Sequence, residues 1–115
     1  VASIYAAADV FVFPTHEEGG PQVTYEAAAC GLPCIVSPMG AARIVRGGIE
    51  GYVIDPFDGD GWISAMKNLA ANPDFRKRFG AASAAQAAEE FTWQKVGACL
   101  HDLFSSLPVP EGKSP

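Results

Sequence analysis

Three short apolar runs, each set off by proline or glycine, most constrain what this chain can fold into. They are VFVF (residues 10–13, ended by Pro14), CIV (residues 34–36, between Pro33 and Pro38) and YVI (residues 52–54, between Gly51 and Pro56). None alternates apolar with polar residues. That is the pattern of strands buried on both faces, as in parallel sheets covered by helices on each side. Residues 22–30, between the first two runs, carry a helical pattern, and a shorter helical turn is expected over residues 41–46. After the third run the chain turns helical. Trp62, Ile63, Met66, Leu69 and Ala70 recur at helical spacing, with Asp58 or Asp60 available as the N-terminal cap. Asn72 before Pro73 reads as a cap followed by proline at the first helical position. Thr92 caps a further helix with the apolar stripe Trp93, Val96, Leu100, Leu103 and Leu107, where Trp93 and Phe91 read as core packing. The expected class is α/β: a short parallel sheet with flanking helices and a helical C-terminal region.

At 115 residues the chain is one domain at most. Three strands are too few to bury three amphipathic helices, and the opening VASIYAAADVFVF is already helical and begins with Val. The expectation is therefore part of a larger protein, with residues 1–107 forming the later part of a domain whose first strands lie upstream. Residues 108–115 have the composition of a loose tail. The formal net charge of −5 argues against nucleic acid or an anionic membrane as the main partner. No apolar run approaches the roughly 20 residues of a membrane span, and no charged-then-apolar leader is present. Cys30, Cys34 and Cys99 make an odd count, read as reduced thiols in a cytoplasmic protein. No second Cys/His pair stands at metal-ligand spacing.

The chemistry concentrates in EEGGPQVTYEAAACG, residues 17–31. In an open parallel sheet, ligands bind beyond the carboxyl ends of the strands, and residues 16–21 form such a loop between the first run and the following helix. Gly19 and Gly20 allow close approach to the backbone, and Pro21 suits a helix start. The amides of Gln22, Val23 and Thr24 would then face the cleft as a site for a phosphate or diphosphate. Glu26, one turn further on, could accept two hydrogen bonds from a vicinal diol such as a ribose. Glu18 would face the other side of the phosphates, roughly 12 Å from Glu26 if all eight steps were helical. Ordinary punctuation competes with this reading, since Gly-Gly-Pro is common in loops and acidic residues favour helix N-termini. On spacing alone both remain open.

The string EGGPQVTYEAAACGLPCIVS resembles the signature segment of the family 4 retaining glycosyltransferases, in which two glutamates stand seven residues apart. Glu18 and Glu26 keep that gap, and Ala27, Cys30, Gly31 and Pro33 fall on the family's positions. YAAADVFVFPT, GIEGYVIDPFD and EEFTW extend the resemblance outward, over about residues 4–104. The resemblance implies a partial Rossmann-like domain, the C-terminal donor-binding domain of a GT-B fold. It makes Glu18 the catalytic candidate of this chain and, with the backbone at Gly19 and Gly20, a ligand of the donor sugar. It turns Pro21, Gln22, Val23 and Thr24 toward the diphosphate and gives Glu26 the ribose. The substrate implied is a nucleotide sugar, with no metal and no further cofactor, so the protein itself stabilises the leaving diphosphate. A basic Arg/Lys pair, the acceptor site and a further catalytic residue would come from parts outside this chain, including an N-terminal domain, and so would any peripheral membrane association. A nucleotide-sugar epimerase or synthase of the same superfold, and a non-catalytic nucleotide- or sugar-binding module, are the alternatives.

There are departures from the family pattern. Gly20 stands where a bulky residue is common, Thr24 and Tyr25 replace residues that are often aliphatic, and GAARIV puts Arg43 near an expected Glu. His16 and Glu17 read as exposed neighbours of the turn. DPFDGDG lacks the ligand order of a calcium loop, with Pro56 at the first position, and reads as helix capping. Arg76, Lys77 and Arg78 read as a solvated helix face.

Overall fold

The structure, a computed structural model, describes residues 2–17, 19, 22–90 and 92–108. The elements are α1 (Ala2–Ala7), β1 (Phe11–Phe13), α2 (Gln22–Ala29), β2 (Cys34–Val36), α3 (Pro38–Ala41), β3 (Gly51–Val53), α4 (Gly59–Ala71), α5 (Pro73–Glu90) and α6 (Trp93–Ser106). The strands form one parallel sheet in the order β1-β2-β3, with Phe11 opposite Cys34 and Cys34 opposite Gly51. The α/β class with a short parallel sheet is as the apolar runs required.

The central strand explains the absence of alternation in its sequence. Successive side chains of a strand point to opposite faces. Cys34 and Val36 enter one core with Ala28, Ala41, Ile44, Val45 and Ala87, while Ile35 enters the other with Trp62, Ala65, Leu69 and Phe79. All three residues of β2 are fully buried, whereas Val12 in β1 and Val53 in β3 are exposed. Only the middle run is thus covered on both faces among the described residues. In α4 the buried side is Trp62, Ala65 and Leu69, and Ile63 and Met66 face outward.

Side-chain caps fix the starts of α3, α4 and α6. Asp58 accepts from the Gly61 amide at 3.0 Å, and Thr92 accepts from the Lys95 amide at 3.2 Å. Asn72 departs from expectation: its side-chain amide turns back to the Asn68 carbonyl at 2.6 Å, leaving the Asn72 carbonyl to accept from Phe75 and Arg76. The expected turn over residues 41–46 begins earlier, at Pro38, because Ser37 caps it and proline needs no amide acceptor there. Trp93 is a correction. It is 85% exposed rather than core, and α6 buries none of its residues. Its apolar spacing describes a face, not what covers it. Phe91 and residues 109–115 lie outside the described residues.

The fully buried Glu50 side chain accepts from the Arg46 amide at 2.8 Å and from the Arg46 guanidinium at 2.5 Å, which closes the glycine turn before β3. Burial pushes the Cys34 thiol from 9.0 up to about 12, against the lowering effect of a hydrogen bond with Ser83 and with the Glu50 charge adding to the rise. The unfolded thiol ionises first as pH rises. The Cys34 contribution to stability is therefore complete below pH 9.0 and is lost as pH climbs toward about 12. At about pH 8, iodoacetamide is expected to modify the exposed Cys30 and Cys99 and to spare Cys34 until denaturant is added, read by mass spectrometry.

Candidate functional site

The carboxyl ends of β1 and β2 are joined by hydroxyl groups. Thr15 donates to the Glu17 carbonyl at 3.1 Å, forming a small turn as the chain leaves β1. Ser37 donates to the Thr15 carbonyl at 2.5 Å and accepts from the Gly40 amide at 3.3 Å. The Ser37 amide donates to the Phe13 carbonyl at 3.2 Å. Thr24, on the first turn of α2, donates to the Gly40 carbonyl at 2.7 Å. Ser37 and Thr24 are both fully buried, and each hydroxyl is satisfied. Gly40 lies so close to β1 that an added Cβ would stand 3.0 Å from the Phe13 ring and 3.1 Å from the Phe13 carbonyl oxygen. The loop after β1, the start of α2 and the start of α3 therefore form one floor.

On that floor Gln22 and Val23 occupy the exposed first turn of α2, which carries no acidic residue to compete for an anion. First-turn amides have no acceptor inside their own helix, which suits them to phosphate oxygens. Thr24 contributes its backbone to this turn, while its side chain is committed to Gly40. Gly19 has nothing within 4 Å of where a Cβ would stand, so the loop there is open. Glu26 sits on the second turn, half-buried, and accepts from the Tyr5 hydroxyl at 3.1 Å. Glu18, Gly20 and Pro21 lie outside the described residues, and with them the span from Glu18 to Glu26.

The neighbouring readings separate clearly. His16 is exposed, with its ring 4.9 Å from that of Phe57. Asp55 accepts from the Phe57 amide at 2.8 Å and Asp58 caps α4, so both act as turn and cap acceptors. Sequence reasoning missed two residues, Ser37 and Tyr5. Ser-Pro at the end of an apolar run could have revealed the first. Nothing local signals the second, because its contact with Glu26 crosses 21 residues.

Comparison with known proteins meets this geometry. Residues 1–72 match the family profile described as "Glycosyl transferases group 1". A D-inositol 3-phosphate glycosyltransferase of Corynebacterium jeikeium is 34% identical over 109 residues, covering 94% of this chain and 26% of that protein. One of the same name from Streptosporangium roseum is 33% identical, covering 91% of this chain and 24% of that protein. In structure, the sucrose-phosphate synthase of Thermosynechococcus elongatus superposes with a TM-score of 0.76 at 28% identity, over 90% of this chain and 27% of that one. The chain thus spans about a quarter of the length of the relatives it matches. The parallel sheet and the family match agree: this α/β chain of GT-B type belongs to the group 1 glycosyl transferases.

Proposed function

We propose that this chain is the donor-binding half-domain of a retaining glycosyltransferase that moves a sugar from a nucleotide sugar to an acceptor. The observation that carries the reading is Glu26. A half-buried carboxylate one turn into α2, beside an acid-free helix start at the carboxyl edge of a parallel sheet, has the chemistry to hold a ribose next to a diphosphate. Glu18 would meet the donor sugar, with Gly19 and Gly20 close to it, and the amides of residues 22–24 would take up charge as the diphosphate leaves. The acceptor site and the basic residues facing the diphosphate would come from an N-terminal domain of the same protein. No helix among the described residues is long and apolar enough to cross a membrane, and we place the protein in the cytoplasm, where nucleotide sugars are its substrates.

The test uses the whole protein with a panel of nucleotide sugars and simple hydroxyl acceptors, the product linkage being read by NMR. Transfer with retained anomeric configuration is expected; inversion, or no transfer from any donor, overturns the reading. The chain by itself is expected to bind nucleoside diphosphates weakly or not at all by calorimetry. The sucrose-phosphate synthase neighbour favours one second reading, a synthase whose acceptor is itself a sugar phosphate, and adding such acceptors to the same panel separates the two.

A further inference from the structure

Tyr5 lies on α1, outside the glycine turn and α2, yet its hydroxyl reaches the candidate ribose ligand. It donates to Glu26 Oε2 at 3.1 Å. Its ring stands edge-on to Phe11 of β1, with centroids 6.4 Å apart and planes at 60°. Phe11 in turn packs on the core that holds Ala28, Cys34 and Val36. The phenol is therefore braced from the sheet, and Glu26 is braced from the phenol. A carboxylate offers two oxygens and about four lone-pair positions. One bond from Tyr5 restrains its rotamer and leaves Oε1 with room for two more donors.

Resting on the reading of Glu26 as a diol ligand, we propose that Tyr5 is a positioning residue that orients the Glu26 carboxylate for the 2′- and 3′-hydroxyls of the donor nucleotide. Tyr5 thereby makes the site selective for ribonucleotides over nucleotides lacking that diol. A free glutamate side chain samples several rotamers, and a diol that binds it must first freeze them. Tyr5 removes that freedom before the ligand arrives, which is affinity gained by preorganisation. Burial, and then the hydrogen bond to Glu26, push the Tyr5 phenol above its ordinary 10.0, so it remains a donor throughout the neutral range.

Tyr5→Phe in the whole protein keeps the ring against Phe11 and removes only the hydroxyl. Affinities for uridine, guanosine and adenosine diphosphates and their 2′,3′-dideoxy counterparts are measured by calorimetry, with Glu26→Gln run alongside. For the base that binds best, Tyr5→Phe is expected to weaken the ribonucleotide by about 3- to 10-fold and to leave the dideoxy form within about twofold. The KM for the donor should rise in step, with kcat little changed. Equal losses on both forms, or none on either, overturn the positioning role, while a selective loss in Glu26→Gln leaves the diol reading standing. If Glu26→Gln treats both forms alike, the diol reading falls, and the role of Tyr5 falls with it.

Discussion

Gly51→Ala is expected to lower the folding stability of this domain by about 2–5 kcal/mol, seen as a fall in the urea midpoint with little change in slope. Gly51 opens β3 directly opposite Cys34, and its φ of +157° lies where residues with a Cβ are rarely found. Space is the larger problem. An added Cβ would overlap the Cys34 carbonyl oxygen and stand 2.7 Å from the carbonyl carbon. These are backbone atoms of the central buried strand, so no side chain can swing aside. The sheet must part between β2 and β3, with the buried Glu50 turn disturbed beside it. Gly48 separates strain from contact: its φ is +82°, but nothing lies within 4 Å of its missing Cβ. Gly48→Ala should cost only about 1–2 kcal/mol, the strain of the left-handed conformation. Equal losses at the two positions would mean that backbone strain, and not the approach of the strands, governs both.

The second large effect is expected at Glu26. In the whole protein, Glu26→Ala should weaken nucleotide and nucleotide-sugar binding by about 10- to 100-fold, the scale of one or two charge-assisted hydrogen bonds lost against water. The fold should tolerate the change, since alanine is the better helix former and the lost contact is a single partly exposed bond from Tyr5. Glu18→Ala should instead cut transfer while sparing the free nucleotide, because the proposed reading gives it the donor sugar. The two variants therefore divide the donor into halves that calorimetry and turnover read separately. Unchanged donor affinity and turnover in both would remove the basis for assigning this loop to a donor.

What the sequence disclosed follows a physical line. The strand CIV was legible to the residue, because prolines bracket it and its three side chains are all buried. The helix of residues 22–30 was legible because a glycine–proline entry and a glycine exit frame it. Ser37 was hidden by its neighbour, since Pro38 was read as the end of a strand although it also opens α3. Trp93 misled because helical spacing reports an apolar face and is silent about a partner. Within the candidate site, Glu26 stood out through the family resemblance, since its spacing from Glu18 alone left ordinary turn punctuation open. Its brace could not, because a contact from α1 to α2 depends on how the sheet places β1 between them.

The hydroxyl bonds from Ser37 to Thr15 and from Thr24 to Gly40 bear on motion as well as on shape. Ligand-binding loops are usually drawn from the least stable part of a protein. Here the exits of two strands and the start of a helix share buried bonds, so none can loosen without exposing a polar group of another. This segment should therefore act as an anvil: closure around a ligand would come from whatever faces it. In hydrogen exchange, the bonded amides of Ser37, Gly40 and Ala41 should open together as one slow unit.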